Sequence, residues 1–318
     1  MWKACPSCGN GSSSAVAASA CRRRRACSKP CLPARVMARP ERDETAHCQA
    51  RPSAPLSRAK AMPALIRDPM SETTALMDRM PGESVPPANA ELAEANLEDV
   101  LGAPGAADLA TLAAGHGAVR GLLLAITGAS PFLTGLIRRD PAFTAQCLRR
   151  APEAAMNALL DDLDRQVATA TGQSEVMASL RRAKARGGLL VALADIAGVW
   201  DTLTAAAFFS TLAERLVQAA VRWLLTDQAR AGNLLLPDAQ TPDRACGFTV
   251  LAMGKLGAAE LNYSSDIDLI VLYDADTAPV APGKDAARIF IRLTRALVKL
   301  LQERTGQGYV FRTDLRLR

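Results

Sequence analysis

Across residues 88–231 apolar side chains recur every three or four positions in an Ala- and Leu-rich background, the spacing of one face of an α-helix. A bundle of amphipathic helices is the expected product. Helix breaks are expected near 104–107, 128–131, Asp140-Pro141, Ala151-Pro152, Thr171-Gly172 and Gly187-Gly188, with Ser130-Pro131 and Asp140-Pro141 as helix starts. A long helical segment is expected over 194–227, turning Ile196, Val199, Trp200, Leu203, Phe208, Leu212, Leu216, Ala220 and Trp223 to the core. The basic run ahead of it (Arg181, Arg182, Lys184, Arg186) reads as a solvated helix face or, alternatively, as a contact for an acidic partner or phosphate. Residues 232–244, rich in Gly, Asn, Pro, Asp and Gln, read as a linker, and beyond them the period changes to two. Strands are expected over 248–253, 267–273 and 309–317, a turn and short helix over 254–262, a loop over 278–285, and a helix over 286–304 with Ile289, Leu293, Leu297 and Leu300 on one face. The fold class is therefore α+β: an N-terminal helical bundle followed by a small mixed sheet.

The period-two region carries the candidate chemistry. Asp266 and Asp268 stand one residue apart at the entry to strand 267–273, and positions i and i+2 of an extended chain point the same way, so two carboxylates share a face. Two hard oxygen donors so placed suit Mg²⁺. The Gly-Lys-Leu-Gly turn from Gly254 to Gly257 brings backbone N–H groups and Lys255 toward the same place, as in phosphate-holding loops. Ser264 and Ser265 adjoin the first aspartate. In the last strand Val310, Arg312, Asp314, Arg316 and Arg318 form a charged face, and Tyr309, Phe311, Thr313, Leu315 and Leu317 an apolar one. Taken alone, that charged face is an edge-strand ion-pair ladder. Placed beside strand 267–273, Asp314 becomes a third carboxylate, with Arg312 and Arg316 in reach of phosphate oxygens. Such a set meets the needs of phosphoryl or nucleotidyl transfer, in which a pair of Mg²⁺ ions stabilises the attacking and leaving oxygens.

Other chemistries lack their residues. The histidines are His47 and His116, which leaves no Ser-His-Asp, Cys-His or HExxH arrangement, and neither GxxxxGK[ST] nor GxGxxG occurs. The net charge of +6 belongs to the first 70 residues, which hold 13 Lys/Arg against 4 Asp/Glu, while the remainder holds 25 against 28. Nucleic-acid binding by the folded part is not expected. Six of the eight cysteines lie in the same tail, and the folded region with Cys147 and Cys246 reads as reduced and cytoplasmic. Cys5-Pro-Ser-Cys8 has the spacing of half a zinc knuckle, but Cys21, Cys27, Cys31 and Cys48 supply no second CxxC pair. The tail, including the Arg22 to Arg25 run, has the composition of disorder, with a transit peptide or nucleic-acid arm as alternatives; a natural start at Met62, Met70 or Met77 is the expectation. The most apolar stretch, 121–137, is broken by Gly128 and Pro131, so no membrane span is expected.

The strings MGKLGAAELNYSSDIDLIVLYD (253–274) and GYVFRTDLRLR (308–318) resemble the DNA polymerase β nucleotidyltransferase superfamily and, within it, the bacterial glutamine synthetase adenylyltransferase/adenylyl-removing enzymes. SPFLTGLIRRDP (130–141) and LRRAKARGGLLVALADIAGVW (180–200) resemble that family more loosely. The resemblance implies a nucleotidyltransferase core over 245–318, C-terminally truncated, from a longer product with a pair of such domains. In that family the C-terminal copy attaches AMP to a tyrosine of glutamine synthetase, and the N-terminal copy removes it by phosphorolysis, yielding ADP. NYSSDIDLI behind a helical region resembles the N-terminal, deadenylylating copy. By this likeness Asp266, Asp268 and Asp314 hold Mg²⁺, and Gly254, Lys255 and Ser265 contact phosphate or nucleotide (ATP, ADP or the AMP group). Implied partners are glutamine synthetase and, through regions outside this chain, the PII signalling protein, in regulation of nitrogen assimilation. The alternatives are a nucleotidyltransferase with another acceptor, or a helical binding module with a silent site.

Overall fold

The computed structural model describes residues 73–82, 86–87 and 89–317. The tail cysteines, the Arg22 to Arg25 run, the start sites Met62 and Met70, and Arg318 lie outside the described residues. The helices are α1 (Ala90–Leu101), α2 (Ala107–Gly115), α3 (Gly117–Ala129), α4 (Pro131–Arg139), α5 (Pro141–Leu148), α6 (Pro152–Thr169), α7 (Gln173–Ile196) and α8 (Thr202–Arg230). Proline opens α4, α5 and α6, where its missing N–H costs nothing, and the Ser130 and Asp140 side chains accept from the N–H groups of Leu133 and Phe143. Among the described residues no single helix is long and apolar enough to cross a membrane.

Two helical expectations fail, for opposite reasons. Gly187-Gly188 does not break a helix but lies inside α7, where a Cβ at Gly187 would stand 2.5 Å from Leu212 Cδ2 of α8. Glycine is there so that two helices can approach closely. The segment 194–227 is not one helix, because α7 ends at Ile196, Gly198 adopts φ +68° and Asp201 caps α8 by accepting from Thr204 N–H. The break resets the helical phase. Trp200, Phe208 and Trp223 are buried as expected, whereas Ile196 and Leu203, 39 % and 73 % exposed, are not.

The sheet follows, with strands β1 (Phe248–Met253), β2 (Ile267–Tyr273) and β3 (Thr313–Leu317), a one-turn helix α9 (Gly254–Gly257) and a crossover helix α10 (Ala286–Gln302). The order is β1-β2-β3, with β1 antiparallel and β3 parallel to β2, so the α+β class with a small mixed sheet holds. Ile289, Leu293, Leu297 and Leu300 of α10 are all buried, and α10 packs on β3 and on α7 and α8, so bundle and sheet share one core. The last strand is shorter than expected. Val310 and Phe311 are both buried, and both donate their N–H groups to Leu301 O, which removes residues 309–312 from the alternating pattern and Val310 from the charged face.

The basic run is divided rather than uniform, and its first member is not solvated. Arg181 is 2 % exposed; its guanidinium donates to Gly308 O (2.9 Å), Met177 O (3.0 Å), Leu300 O (3.3 Å) and Glu303 O. Two of these acceptors are otherwise unsatisfied carbonyls at the end of α10, where the helix dipole also favours a cation. Arg186 instead pairs with Asp140 at 2.6 Å. Arg181→Met is expected to cost about 3–5 kcal/mol, because it strands buried carbonyls, and Arg181→Lys to recover little of it. Denaturant unfolding of the three proteins measures this; a loss under about 1 kcal/mol contradicts it.

Candidate active site

Register builds the centre of the site. Met253, Asp268 and Asp314 are paired across β1, β2 and β3 and so stand in one row on one face of the sheet. In β2 the other face is core, with Ile267, Leu269 and Val271 buried, which leaves Asp268 exposed. Asp314 is exposed beside it, and Asp266, also exposed, immediately precedes β2. The next rows of that face carry Leu251 with Ile270 and Thr249 with Leu272; Leu251, Met253 and Leu272 are all partly open to solvent. Carboxylates thus border an exposed apolar sheet surface. Arg316 is placed opposite Ile270 by its backbone, and its side chain lies outside the described residues.

The glycine turn adjoins this row. Gly254 follows Met253, adopts φ +54°, and a Cβ there would stand 2.7 Å from Asp268 Oδ2. Only glycine tolerates both that backbone conformation and that carboxylate. A Cβ at Gly257 would meet Ala252 O at 2.6 Å, so the second glycine folds the turn back onto β1. Lys255 Nζ reaches Ser265 Oγ at 3.4 Å, and Ser265 Oγ donates to Asn262 Oδ1 at 2.6 Å. Arg312 donates to Ser264 O at 3.0 Å, while its own carbonyl accepts from Ile267 N–H. Arg312 therefore joins the start of β2 to the approach to β3.

The helical region holds the loop that carries Ser264, Ser265 and Asp266. Leu261 is fully buried and its N–H donates to Ser210 Oγ of α8 at 2.9 Å, in the interior. Tyr263 OH donates to Asp195 Oδ2 of α7 at 3.0 Å. Burial, and then the Asp195 carboxylate, raise the Tyr263 pKa above the ordinary tyrosine range. The periodicity did not single out Arg181, Asp195, Ser210 or Tyr263 as supports. Ser210 and Asp195 interrupt apolar helix faces, and that is the signal that could have found them.

The donor chemistry and the backbone register fit a divalent cation: hard carboxylate oxygens, two of them on directly paired residues. As the side chains stand, no three Asp, Glu, His or Cys groups among the described residues are gathered closely enough to hold a metal ion.

Residues 121–318 match the family described as glutamate-ammonia ligase adenylyltransferase. Proteins named bifunctional glutamine synthetase adenylyltransferase/adenylyl-removing enzyme are similar to this chain. The one from Rhodopseudomonas palustris strain CGA009 is 48% identical over 196 residues, 62% of this chain and 20% of the relative. That from strain BisB5 is 46% identical over 231 residues, 72% and 23%, and that from Bradyrhizobium sp. strain BTAi1 46% over 213 residues, 67% and 22%. The chain thus spans about a fifth of the length of the curated relatives it matches.

Two outcomes test the local architecture. Gly254→Ala is expected to destabilise by about 1–3 kcal/mol through backbone strain and collision with Asp268, read by denaturant unfolding; an unchanged midpoint contradicts the close approach. The raised Tyr263 pKa contributes stability that is complete below the unfolded value of about 10 and is lost as pH rises above it. Between about pH 8 and pH 10.5 the wild type should therefore lose more stability than Tyr263→Phe; parallel losses contradict the assignment.

Proposed function

Since the chain belongs to the glutamate-ammonia ligase adenylyltransferase family, we propose that residues 245–317 form a nucleotidyl-transfer site that removes AMP from adenylylated glutamine synthetase by phosphorolysis. The observation that carries this reading is the row formed by Asp268 and Asp314, with the Gly254 turn against Asp268 and Lys255 and Arg312 beside the same loop. Those are the parts that an in-line displacement at phosphorus requires: carboxylates for a divalent cation and cations for phosphate oxygens. NYSSDIDLI behind a helical region supports the deadenylylating direction.

In the proposed reaction an oxygen of inorganic phosphate attacks the adenylyl phosphorus. The bond from that phosphorus to the tyrosine oxygen breaks, giving ADP and a phenolate that takes a proton from water. Inorganic phosphate is already anionic at neutral pH, so the chain need not supply a general base. Mg²⁺ held by Asp266, Asp268 and Asp314 would neutralise charge at the attacking and leaving oxygens. Lys255 and Arg312 hold phosphate oxygens, and the exposed apolar surface at Leu251, Met253 and Leu272 offers the nucleoside a face to lie on. Glutamine synthetase is the partner this reading names, and the cytoplasm is its compartment.

Adenylylated glutamine synthetase incubated with the chain, Mg²⁺ and phosphate is expected to release ADP, and Asp268→Asn to slow that release about 10²-fold or more. ADP release that is unchanged in Asp268→Asn, or absent with the wild type, overturns the proposal.

A further inference from the structure

A cavity of about 260 Å³ opens between α4, α7 and the loop that carries Tyr263, and Asp266, Asp268 and Asp314 do not line it. That is room for a ligand somewhat smaller than drug-sized. Phe132, Leu133, Leu136 and Ala192 give it an apolar wall, and Phe132, Ile196 and Tyr263 keep its rim open at 63 %, 39 % and 45 % exposure. Lys184 of α7 projects into this wall, with Nζ 6.0 Å from the Phe132 ring centre and 5.8 Å from that of Phe311.

Lys184 is out of place there. Burial lowers its pKa, and among the described residues no carboxylate lies within ion-pairing distance of it. Asp195 also lines the cavity, but it sits eleven residues farther along α7, about 16 Å away, and accepts the Tyr263 hydroxyl. The two ring faces at about 6 Å offset part of the cost of desolvating this ammonium but supply no anion, and a cation among apolar groups without one is costly. A methionine would fill the same space without that cost.

We propose that this cavity binds a small amphiphilic anion, its anionic head on Lys184 Nζ and its apolar body against Phe132, Leu133 and Leu136. Charge complementarity names the ligand class, since the cation has no carboxylate among the described residues within pairing distance and the wall beside it is hydrocarbon, while Asp195 at the far end is taken up by the Tyr263 hydroxyl. The site is connected to the active site by packing. Phe209, at the back of the cavity, has its ring 5.3 Å from that of Tyr263 and 6.0 Å from that of Phe311, and these two residues lead into Asp266 and Asp314 respectively.

Anilinonaphthalene sulfonate, an aromatic anion that fluoresces in apolar sites, is the probe, titrated into the full chain with Lys184→Met and Lys184→Arg beside it. The wild type is expected to bind it saturably, Lys184→Met about ten-fold or more weakly, and Lys184→Arg within about three-fold of wild type. Without probe, Lys184→Met is expected to melt about 2 °C or more higher, because it removes a partly buried charge that has no counter-ion among the described residues. Equal binding by wild type and Lys184→Met, no saturable binding, or a lower melting temperature for Lys184→Met overturns the proposal; the last marks the cation as structural. Fluorescence reads occupancy whether or not the carboxylate site turns over.

Discussion

A guanidinium buried among main-chain carbonyls holds the two halves of this chain in register. Arg181 arises from the middle of α7, yet its acceptors include Leu300, Glu303 and Gly308, at the end of α10 and the turn beyond it. The carbonyls at a helix end have no partner within the helix, and Arg181 supplies several donors in one rigid fork. Anchoring Gly308 also positions the residues after it: Val310 and Phe311 bond to Leu301 O, and β3 begins at Thr313 with Asp314 opposite Asp268. Arginine suits this place better than lysine, because its planar fork reaches several acceptors and stays charged when burial pulls its pKa down.

The helices are thus the frame of the site as well as its neighbour. Gly187 lets α7 and α8 approach closely, both pack on α10, and Ser210 and Asp195 hold the loop before Asp266 at Leu261 and Tyr263. A displacement of α7 against α8 would therefore act on both segments that bring carboxylates to the site. Phe209 packs on Tyr263 and Phe311 alike, so the apolar cavity around Lys184 has its back wall on that same junction.

Strands β1 and β2, the glycine turn between them, most helix starts and the buried face of α10 were legible because each depends on local spacing. Errors fell where a distant contact overruled a local signal. Gly187-Gly188 looked like a break, but its lack of side chain serves Leu212, which is remote in sequence. Val310 looked like part of an alternating strand, but Leu301 draws it and Phe311 into the core together. Arg181 looked like surface, since nothing in its neighbourhood along the chain announces carbonyls more than a hundred residues away.

For the site the division is similar. Asp266-x-Asp268 with a glycine turn ahead of it is a local pattern, and alternation alone was enough to put Asp268 on the open face. That Gly254 must be glycine because Asp268 Oδ2 lies against it, and that Asp314 is the residue paired with Asp268, depend on strand register, which the order of strands and the packing of α10 decide. By itself the sequence determined which residues are candidates for the chemistry and the period of the elements that bear them. Tertiary structure decided which of them meet, because register and helix contact are set by side chains that lie far apart in the chain and close together in the core.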